Sequence, residues 1–386
     1  MKKCRICRGG DFKEVLDMGD QPLVNSLLES PEDGEMVFPL LVEQCQDCKL
    51  VQVTEPVDSH AIYTAQDYLY YSGDMPGLQG YFQEYVDSLK KYYKERDFVV
   101  EIGSNDGTML KLFEGVIRLG VDPSTNVVVR ATANGIPTIS AGFNERLAGN
   151  ILDEFFPAKI IYGNNCIAHI DDLHGVMKGV ELLLEKDGIF VVECNYWGGM
   201  VKNKNYSLVY HDHFSYFTIK DWMNLAEEYN LTVFDAIITP AQGGSLRIFL
   251  SKNKRHMTDR MVTLIQEEEG LSDYETCKKY NKECRAEAKK LGDEIRKLKK
   301  EGKTIAGYGA AAKGFSIISL AGITDEIDFY VDDSPAKQGK FTPVNHIPVV
   351  SRGEREDPDV FVITAPNYAD IIKEKEKDFK GIWITP

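Results

Sequence analysis

Predicted strands alternate with predicted helices in two separate stretches of the chain, and no other feature of the sequence limits the fold as strongly. In the first stretch, apolar runs indicate strands at 98–102, 118–121, 159–163 and 188–193. In the second, shorter stretch, they lie at 304–306, 327–331 and 360–363. Strands that alternate with helices form parallel, doubly wound sheets. We therefore predict an α/β protein with two lobes of similar architecture, which agrees with the 386-residue length because one core rarely exceeds about 250–300 residues.

Two further segments have helical patterns. Residues 258–302 are strongly charged, contain no proline and carry apolar residues on one face, which predicts one or two helices that link the lobes. Residues 76–94 also have helical spacing, within a tyrosine-rich segment at 61–96. The less periodic part of that segment, 67–73, is a candidate cleft lining.

Composition excludes several classes of protein. The hydrophobic content of 43% and charged content of 27% are those of an ordinary globular protein, not of a disordered one. A net charge of −15 disfavours general binding to nucleic acid phosphates. Because the chain has no run of about 18 apolar residues and no apolar leader after Met1, we expect a cytoplasmic protein without a membrane partner. No heptad repeat favours an oligomer, and we expect a monomer.

Four of the eight cysteines form two C-x-x-C pairs, Cys4 with Cys7 and Cys45 with Cys48. One such turn can present two thiolates to a metal ion, and two turns complete a tetrahedral set. The alternatives are redox dithiols or disulfides, and a reducing cytoplasm disfavours the disulfides. We predict a structural zinc site, because four thiolates leave no coordination position for a catalytic water.

The strand 98–102 leads into a glycine-containing turn at 103–107, which we predict to open a helix at 108. Gly103 and Gly107 allow a ligand to approach the backbone closely. Asp122 ends the next strand, where a carboxylate can accept hydrogen bonds from a ribose diol. These positions indicate a nucleotide-type cofactor, although the spacing does not match G-x-G-x-x-G.

The charge at this turn indicates which cofactor it favours. Glu101, Asn105 and Asp106 make it acidic, so it would repel a diphosphate and attract a cationic sulfonium or ammonium group. That favours S-adenosylmethionine over a dinucleotide. The alternative is a plain strand–turn–helix junction with no ligand.

The second lobe contains a turn that is more typical of NAD. Gly307-x-Gly309-x-x-Ala312 follows a strand, and Asp332 lies about where a ribose-binding acid is expected. A dehydrogenase is therefore an alternative. Lys313 follows the turn directly, which favours phosphate binding of another nucleotide.

Residues 210–217, with the sequence YHDHFSYF, form the densest polar and aromatic cluster of the chain. An imidazole has a pKa near 6.5 and can accept a proton near neutrality when a carboxylate orients it. In a regular strand, His211 and His213 would share one face, whereas a turn would relax that constraint. A metal site or buried structural histidines are the alternatives. His169, after the third strand, is another candidate near the cofactor edge.

The chain resembles the S-adenosylmethionine-dependent sugar C-methyltransferases that methylate C3 of a nucleotide-linked 4-keto-deoxysugar, and the resemblance runs along almost its whole length. The motifs that carry it are Cys4-x-x-Cys7 with residues 16–25, then 101–107, 120–124, 210–217, 243–247 and 307–314. No single motif would be specific. Two departures stand out: Asp212 replaces the usual glutamate, and Pro366 precedes Asn367 where the family tends to have tryptophan.

The resemblance implies a role for each matching position. His213 would be the base that removes the C3 proton, with Tyr210 and Asp212 beside it and His169 and Tyr70 in the same cleft. The implied donor-binding residues are Glu101, Gly103, Asn105, Gly107, Asp122 and Asn164. The implied substrate-binding residues are Arg247, Tyr308, Lys313 and Asp332.

The resemblance also implies three domains and two cofactors. These are a zinc-binding domain at 1–65, a Rossmann-like S-adenosylmethionine-binding domain at 66–255, and a helical linker with a C-terminal Rossmann-like sugar-nucleotide domain at 256–386. The cofactors would be S-adenosylmethionine and a structural zinc. The other function classes are an NAD-dependent oxidoreductase, a zinc-containing nucleic-acid binder and a scaffold without a cofactor.

Overall fold

The structure is a computed structural model that describes residues 2–23, 26–64, 68–75 and 77–386. The chain divides into two compact units, each assembled from several stretches of sequence. Unit 1 comprises residues 1–13, 44–199 and 214–272, and unit 2 comprises residues 14–43, 200–213 and 273–386. The predicted domain boundary at 65/66 lies outside the described residues.

The strands and helices follow the alternation that the sequence predicts. The strands are β1 (Phe12–Pro22), β2 (Val37–Cys45), β3 (Val51–Val53), β4 (Phe98–Ile102), β5 (Ile117–Asp122), β6 (Thr138–Ser140), β7 (Ala158–Asn164), β8 (Leu184–Asn195), β9 (Ser215–Tyr216), β10 (Thr232–Thr239), β11 (Ser245–Ser251), β12 (Ile305–Tyr308), β13 (Phe329–Val331), β14 (Val349–Val350), β15 (Val360–Ile363) and β16 (Ile382–Ile384). The α-helices are α1 (Ser59–Tyr63), α2 (Leu78–Leu89), α3 (Thr125–Ala133), α4 (Glu145–Glu154), α5 (Leu173–Leu183), α6 (Trp197–Asn203), α7 (Ile219–Glu227), α8 (Asp259–Glu267), α9 (Tyr274–Lys300), α10 (Ala312–Ala321) and α11 (Ala369–Lys375). Short 3₁₀ helices include Leu110–Leu112, Ile167–His169 and Tyr206–Leu208.

Unit 1 is built on a seven-stranded sheet with the order β10-β11-β8-β7-β4-β5-β6. The strands β8 to β6 in that order are parallel, whereas β10 and β11 form an antiparallel extension on β8. Every residue of β4 is buried, as expected for a central strand covered on both faces. Helix α7 begins with a capping box in which Thr218 and Asp221 satisfy each other's backbone N–H groups.

Unit 2 contains a five-stranded parallel sheet with the order β14-β13-β12-β15-β16. This order is the same as that of β6-β5-β4-β7-β8 in unit 1, counted from the corresponding edge. The structure therefore confirms two α/β lobes of one architecture. Helices α8 and α9 also confirm the helices predicted over 258–302.

The sequence prediction is wrong about one helix and about one part of the sheet. The segment after Gly107 forms only the 3₁₀ turn Leu110–Leu112, because β5 begins at Ile117 and pairs in parallel with β4. Only residues 108–116 remain between the glycine turn and β5, and they contain this 3₁₀ turn. The antiparallel pair β10 and β11 is not predicted, because neither run alternates clearly between apolar and polar residues.

The helix predicted over 76–94 is shorter than expected. It begins at Leu78, ends at Leu89 and continues as a 3₁₀ turn over Lys90–Tyr92. The predicted first residue, Pro76, lies outside the described residues, as do Asp67 of the candidate cleft lining and residues 24–25 of the first family motif. None of the helices in the described part of the chain combines the length and apolarity that a membrane crossing needs.

Candidate active site

The two C-x-x-C turns in unit 1 have the same backbone geometry. The N–H of Arg8 donates to Cys4 O at 3.0 Å, and the N–H of Lys49 donates to Cys45 O at 3.1 Å. Both donors have a positive φ, which lets each turn close tightly behind its second cysteine. The sequence therefore folds both knuckles in one way and points their sulfur atoms at a common centre.

The four cysteine sulfur atoms fit a zinc ion. All four lie within 4.8 Å of one another, with Cys4 Sγ 3.4 Å from Cys48 Sγ and Cys7 Sγ 3.5 Å from Cys45 Sγ. A tetrahedral ion with Zn–S bonds of about 2.3 Å would separate its sulfur ligands by roughly 3.8 Å. The N–H of Gly9 also donates to Cys7 Sγ, which is typical of a thiolate ligand.

The donor loop of unit 1 is held by hydrogen bonds from the end of β5. Gly103 has a φ of +67°, and its N–H donates to Val121 O at 2.8 Å. A Cβ at this position would lie 2.5 Å from the Cys166 side chain, so only glycine fits. The carboxylate of Asp122 accepts from Asn105 N at 3.0 Å and from Ser124 N at 2.9 Å. The loop and the acid that follows β5 thus form one rigid frame.

A cleft opens at this frame. It is lined by Ser72, Phe82, Glu101, Gly103, Ser104, Asn105, Met109 and Asn164. Asn164 ends β7, and its Nδ2 donates to Met109 Sδ at 3.7 Å. The structure therefore brings together the predicted donor residues Glu101, Gly103, Asn105 and Asn164, with Gly107 closing the same turn through its N–H to Ser104 O.

The cleft is electrostatically suited to a cation. Glu101 is buried, and its Oε2 has no hydrogen-bond partner among the described residues. Burial, with Asp122 and Asp106 nearby, raises the pKa of Glu101 well above its usual value. A positively charged ligand would stabilise the ionised carboxylate. The buried acid and the close-approach glycine therefore fit the sulfonium and adenosine groups of S-adenosylmethionine.

The tyrosine-rich segment covers the donor loop. Asn105 Nδ2 donates to Tyr70 O at 2.9 Å, and Asn105 Oδ1 accepts from Ser72 N at 2.9 Å. Asp106 accepts from Gly73 N at 3.0 Å. The predicted residue Tyr70 thus lies directly against the loop, and the side chains of Asn105 and Asp106 hold it there.

His169 lies in unit 1 on the 3₁₀ turn Ile167–His169. The Tyr63 hydroxyl lies 3.0 Å from His169 Nδ1, and the two rings stack with centroids 6.2 Å apart. Burial lowers the pKa of His169 to about 4, so the imidazole is neutral near pH 7. If the hydroxyl donates to Nδ1, the ring proton resides on Nε2, which makes His169 a neutral hydrogen-bond donor.

The run 210–213 belongs to unit 2 and forms a turn rather than a strand. His213 is buried, and its Nδ1 lies 2.6 Å from Leu208 O. A carbonyl oxygen can only accept, so Nδ1 carries a proton and the neutral ring has its lone pair on Nε2. The His213 ring also lies 4.0 Å from the Tyr210 ring, and Asp212 is buried in the same turn.

His211 differs from His213. It is fully buried, its Nε2 lies 3.2 Å from Phe38 O, and its ring meets Phe38 edge-on. These contacts are those of a structural histidine. The two histidines therefore have different surroundings, which a regular strand would not favour but a turn permits.

The second lobe repeats the frame of the donor loop. Gly309 has a φ of +99°, and its N–H donates to Val331 O at 2.7 Å. Asp332 accepts from Ala310 N at 2.8 Å and from Ser334 N at 2.9 Å. These bonds correspond one by one to those of Gly103 and Asp122 in unit 1.

The charges around this second frame are opposite to those around the first. Lys337 Nζ lies 3.3 Å from Asp332 Oδ2 and donates to Ala310 O at 2.8 Å. Lys313 is buried in the first turn of α10, and burial lowers its pKa to about 7. The Tyr308 hydroxyl donates to Glu376 Oε1 at 2.9 Å. A frame with two lysines is suited to an anionic ligand.

Arg247 lies in β11 of unit 1 within a buried polar cluster. Its Nε donates to Glu193 Oε2 at 2.8 Å, and its NH2 group donates to the Tyr81 hydroxyl at 3.0 Å. Its guanidinium carbon lies 3.4 Å from the centre of the Tyr85 ring. The guanidinium is thus held rigidly between β8 and α2.

Several polar groups at these sites were not identified from sequence. Tyr63 lies in the tyrosine-rich segment but outside the predicted cleft lining at 67–73, and Lys337 gave no signal beyond its position five residues after Asp332. The contact of His213 with the Leu208 carbonyl could not be predicted, because every residue type has a backbone carbonyl.

Comparisons with known proteins agree with this arrangement. Residues 4–63 match the family model "Putative zinc binding domain", residues 77–236 match "Methyltransferase domain", and residues 240–386 match "C-methyltransferase C-terminal domain". The chain is 32% identical to the C-methyltransferase NovU of Streptomyces niveus in an alignment of 390 positions that covers 98% of this chain and 92% of that protein.

Solved structures show more distant likeness. An S-adenosylmethionine-dependent methyltransferase from Clostridium acetobutylicum is 11% identical, covering 47% of this chain and 94% of its own, with a TM-score of 0.37. Magnesium protoporphyrin IX methyltransferase from Synechocystis, solved with bound SAH, is 12% identical, covering 45% of this chain and 83% of its own, with a TM-score of 0.37.

Proposed function

This chain belongs to the S-adenosylmethionine-dependent sugar C-methyltransferase family, and we propose that it methylates C3 of a nucleotide-linked 4-keto-deoxysugar. The observation that supports this proposal most is the likeness to a C-methyltransferase over 98% of the chain. Its cofactors are S-adenosylmethionine and zinc, and we propose that the unit 1 cleft binds the first and the four cysteines bind the second.

The proposed reaction begins with removal of a proton from the sugar. A ketone at C4 acidifies the C–H bond at C3, and His213 Nε2 takes that proton to leave an enolate. The Leu208 carbonyl keeps the other ring nitrogen protonated, so the basic lone pair stays on Nε2. A general base of this kind typically contributes about 10²- to 10⁴-fold to the rate.

Charge then develops on the C4 oxygen. His169 is the proposed hydrogen-bond donor to that oxygen. Its pKa of about 4 means that the ring is neutral at pH 7, and a neutral imidazole still has one N–H to donate. Tyr63 is proposed to donate to Nδ1, at 3.0 Å, which would place the ring proton on Nε2. Tyr210 and Asp212, in the turn that carries His213, and Tyr70, against the donor loop, are proposed as further residues of the reaction. S-adenosylmethionine supplies the electrophilic methyl group that C3 attacks.

A direct test is incubation of the protein with S-adenosylmethionine labelled with carbon-13 in its methyl group and a panel of nucleoside diphosphate 4-keto-deoxysugars. NMR should place the labelled methyl on C3 of one sugar. Methylation at an oxygen, at another carbon, or of none of the sugars would contradict the proposal.

Asp122→Ala should weaken binding of the methyl donor by roughly 10- to 100-fold, because a buried carboxylate is proposed to accept both ribose hydroxyls. Calorimetric titration with S-adenosylhomocysteine measures the change. Asp97→Ala is the matched control, since Asp97 lies before the amino end of β4, at the opposite edge of the same sheet. An unchanged dissociation constant in Asp122→Ala would refute the ribose role.

We propose that the second frame holds the sugar nucleotide through Lys313, Lys337, Asp332 and Tyr308. The opposite charge of the two frames supports this division, because a diphosphate would be repelled by Glu101 and Asp106 and attracted by the two lysines. The frame also matches the NAD fingerprint in spacing, so NAD serves as the comparison ligand in binding tests.

Binding of a nucleoside diphosphate at pH 8 should take up close to one proton per chain, and this uptake should disappear below about pH 6. The reason is that Lys313, with a pKa of about 7, is mostly neutral at pH 8 and becomes protonated beside a diphosphate. Calorimetry in two buffers with different ionisation enthalpies measures the uptake.

Lys313→Met should abolish this proton uptake. Lys303→Met is the control, because Lys303 pairs with Asp359 at 3.0 Å and precedes β12, at the other end of the strand. Uptake that persists in Lys313→Met would exclude Lys313 as the group that titrates.

A further inference from the structure

Arg5 lies between the first two zinc ligands, yet its side chain points into unit 1. Its side chain is only 4% exposed, whereas that of Arg8, in the same knuckle, is 58% exposed. Arginine is rarely buried unless every donor is satisfied. The hydrogen-bond acceptors around Arg5 therefore indicate which parts of the chain its guanidinium holds in place.

One terminal nitrogen of the Arg5 guanidinium, NH1, contacts main-chain and amide oxygens. Its NH1 group donates to Val53 O at 2.7 Å, to Phe214 O at 3.0 Å and to Gln52 Oε1 at 3.2 Å. The guanidinium also lies over the Phe214 ring, 5.2 Å from its centre. Arg5 thus contacts two carbonyl groups that are 161 residues apart in sequence, one in β3 and one directly before β9.

The ion pair of Arg5 is a minor part of this arrangement. Its Nε donates to Asp171 Oδ1 at 2.7 Å, but the Asp171 side chain is 65% exposed. Exposed carboxylates contribute little because water screens them. The two carbonyl contacts, by contrast, are buried.

Phe214 is held on both sides of its peptide. Its carbonyl accepts from Val53 N at 2.9 Å as well as from Arg5, and its own N–H donates to Ala168 O at 2.8 Å. Its ring is fully buried. Phe214 directly follows His213 in the chain, and Ala168 directly precedes His169. Both proposed reacting histidines are therefore covalently attached to residues of this one network.

We propose that Arg5 is a positioning residue. The zinc knuckle holds Arg5 in place, and Arg5 in turn holds the main chain next to the catalytic base, His213. This inference rests on the proposed function of His213. Zinc fixes the turn between Cys4 and Cys7, the turn fixes Arg5, and Arg5 fixes the Phe214 carbonyl. A shift of about 1 Å in a reacting group can cost about 100-fold in rate, so a clamp of this kind has a measurable effect.

Arg5→Gln removes the carbonyl contacts and should lower kcat by about 10- to 100-fold, with the KM for the sugar and the donor dissociation constant within about three-fold of wild type. Deuterium exchange at C3 of the sugar, measured in D₂O without donor, should fall in parallel with kcat. Arg5→Lys retains the charge and one donor, and it should restore part of the loss.

Two controls separate the clamp from charge and from general damage to the knuckle. Arg8→Gln changes an exposed arginine of the same knuckle and should behave as wild type. Asp171→Asn removes the ion pair but leaves the carbonyl contacts, and its effect should be well below that of Arg5→Gln.

Amide hydrogen exchange tests the network without any substrate. In Arg5→Gln with one zinc per chain, peptides that contain Val53 and residues 214–217 should exchange about ten-fold faster, while peptides from α10 should not change. Wild type stripped of zinc by a chelator should lose protection at the same peptides, together with the wider loss expected when the zinc site no longer stabilises unit 1.

Two outcomes would overturn the proposal, and a third would overturn only the proposed function. Zinc-loaded Arg5→Gln with wild-type kcat and wild-type exchange at 214–217 overturns the proposal. Equal loss of donor affinity and kcat also overturns it, because that outcome indicates general destabilisation. If wild type methylates none of the sugars, the proposed function fails, but amide exchange still decides whether Arg5 couples the knuckle to Phe214.

Discussion

Replacement of His213 by asparagine is expected to lower kcat by about 10²- to 10⁴-fold, while the dissociation constant of the methyl donor changes less than about two-fold. The reason lies in the two ring nitrogens. The Nδ1–H of His213 donates to Leu208 O, which leaves the basic lone pair on Nε2. Asparagine can still donate from Nδ2 to that carbonyl and preserve the turn, but it has no basic nitrogen.

The measurement combines turnover with exchange of the C3 proton in D₂O. His213→Asn should lose both, and His213→Ala should lose both and also melt at a lower temperature, because it leaves the Leu208 carbonyl without its donor. The difference in melting temperature between the two variants measures the contribution of the hydrogen bond to Leu208 O to stability. Near-wild-type proton exchange in His213→Asn would remove His213 as the base.

Replacement of Cys45 by serine should empty the zinc site and destabilise unit 1. Cys45 is fully buried and ends β2, so it connects the second knuckle to that strand. Structural zinc sites in small domains contribute apparent binding energies of about 10–16 kcal/mol, and this energy is available only to the folded state. Each kcal/mol lost lowers the melting temperature by about 2–4 °C in a unit of this size.

Metal analysis by mass spectrometry should find one zinc per wild-type chain and close to none in Cys45→Ser. Cys277→Ala is the control, because Cys277 is equally buried but lies in α9, away from the four-cysteine cluster. In native wild type, the four cluster thiols should resist alkylation until a chelator is added. Purified wild type with no zinc and four freely alkylatable thiols would refute the site.

What could be predicted from sequence was local in sequence. Each recognisable motif is short: the glycine turn at 103–107, the acid at 122 at the end of a strand, and each C-x-x-C pair. The chemistry of such a motif can be inferred from the spacing of its own residues. The helix predicted at 108 failed because its length is set by a distant constraint, the parallel pairing of β4 with β5.

The parts of the site that could not be predicted depend on long-range contacts or on the main chain. Tyr63 meets His169 across 106 residues, and Arg5 meets Phe214 across 209. The Leu208 carbonyl sets the tautomer of His213, and any residue type could supply it. Sequence spacing carries no information on such pairs, so the imidazole could be proposed as a base but not assigned a basic nitrogen.

The interleaving of the two units has a practical consequence for fragment work. The chain leaves one unit and enters the other at 13/14, 43/44, 199/200, 213/214 and 272/273. No single cut therefore separates the two units, because residues 14–43 and 200–213 of unit 2 lie between segments of unit 1. Soluble expression of separate pieces should require either the intact reading frame or co-production of complementary fragments.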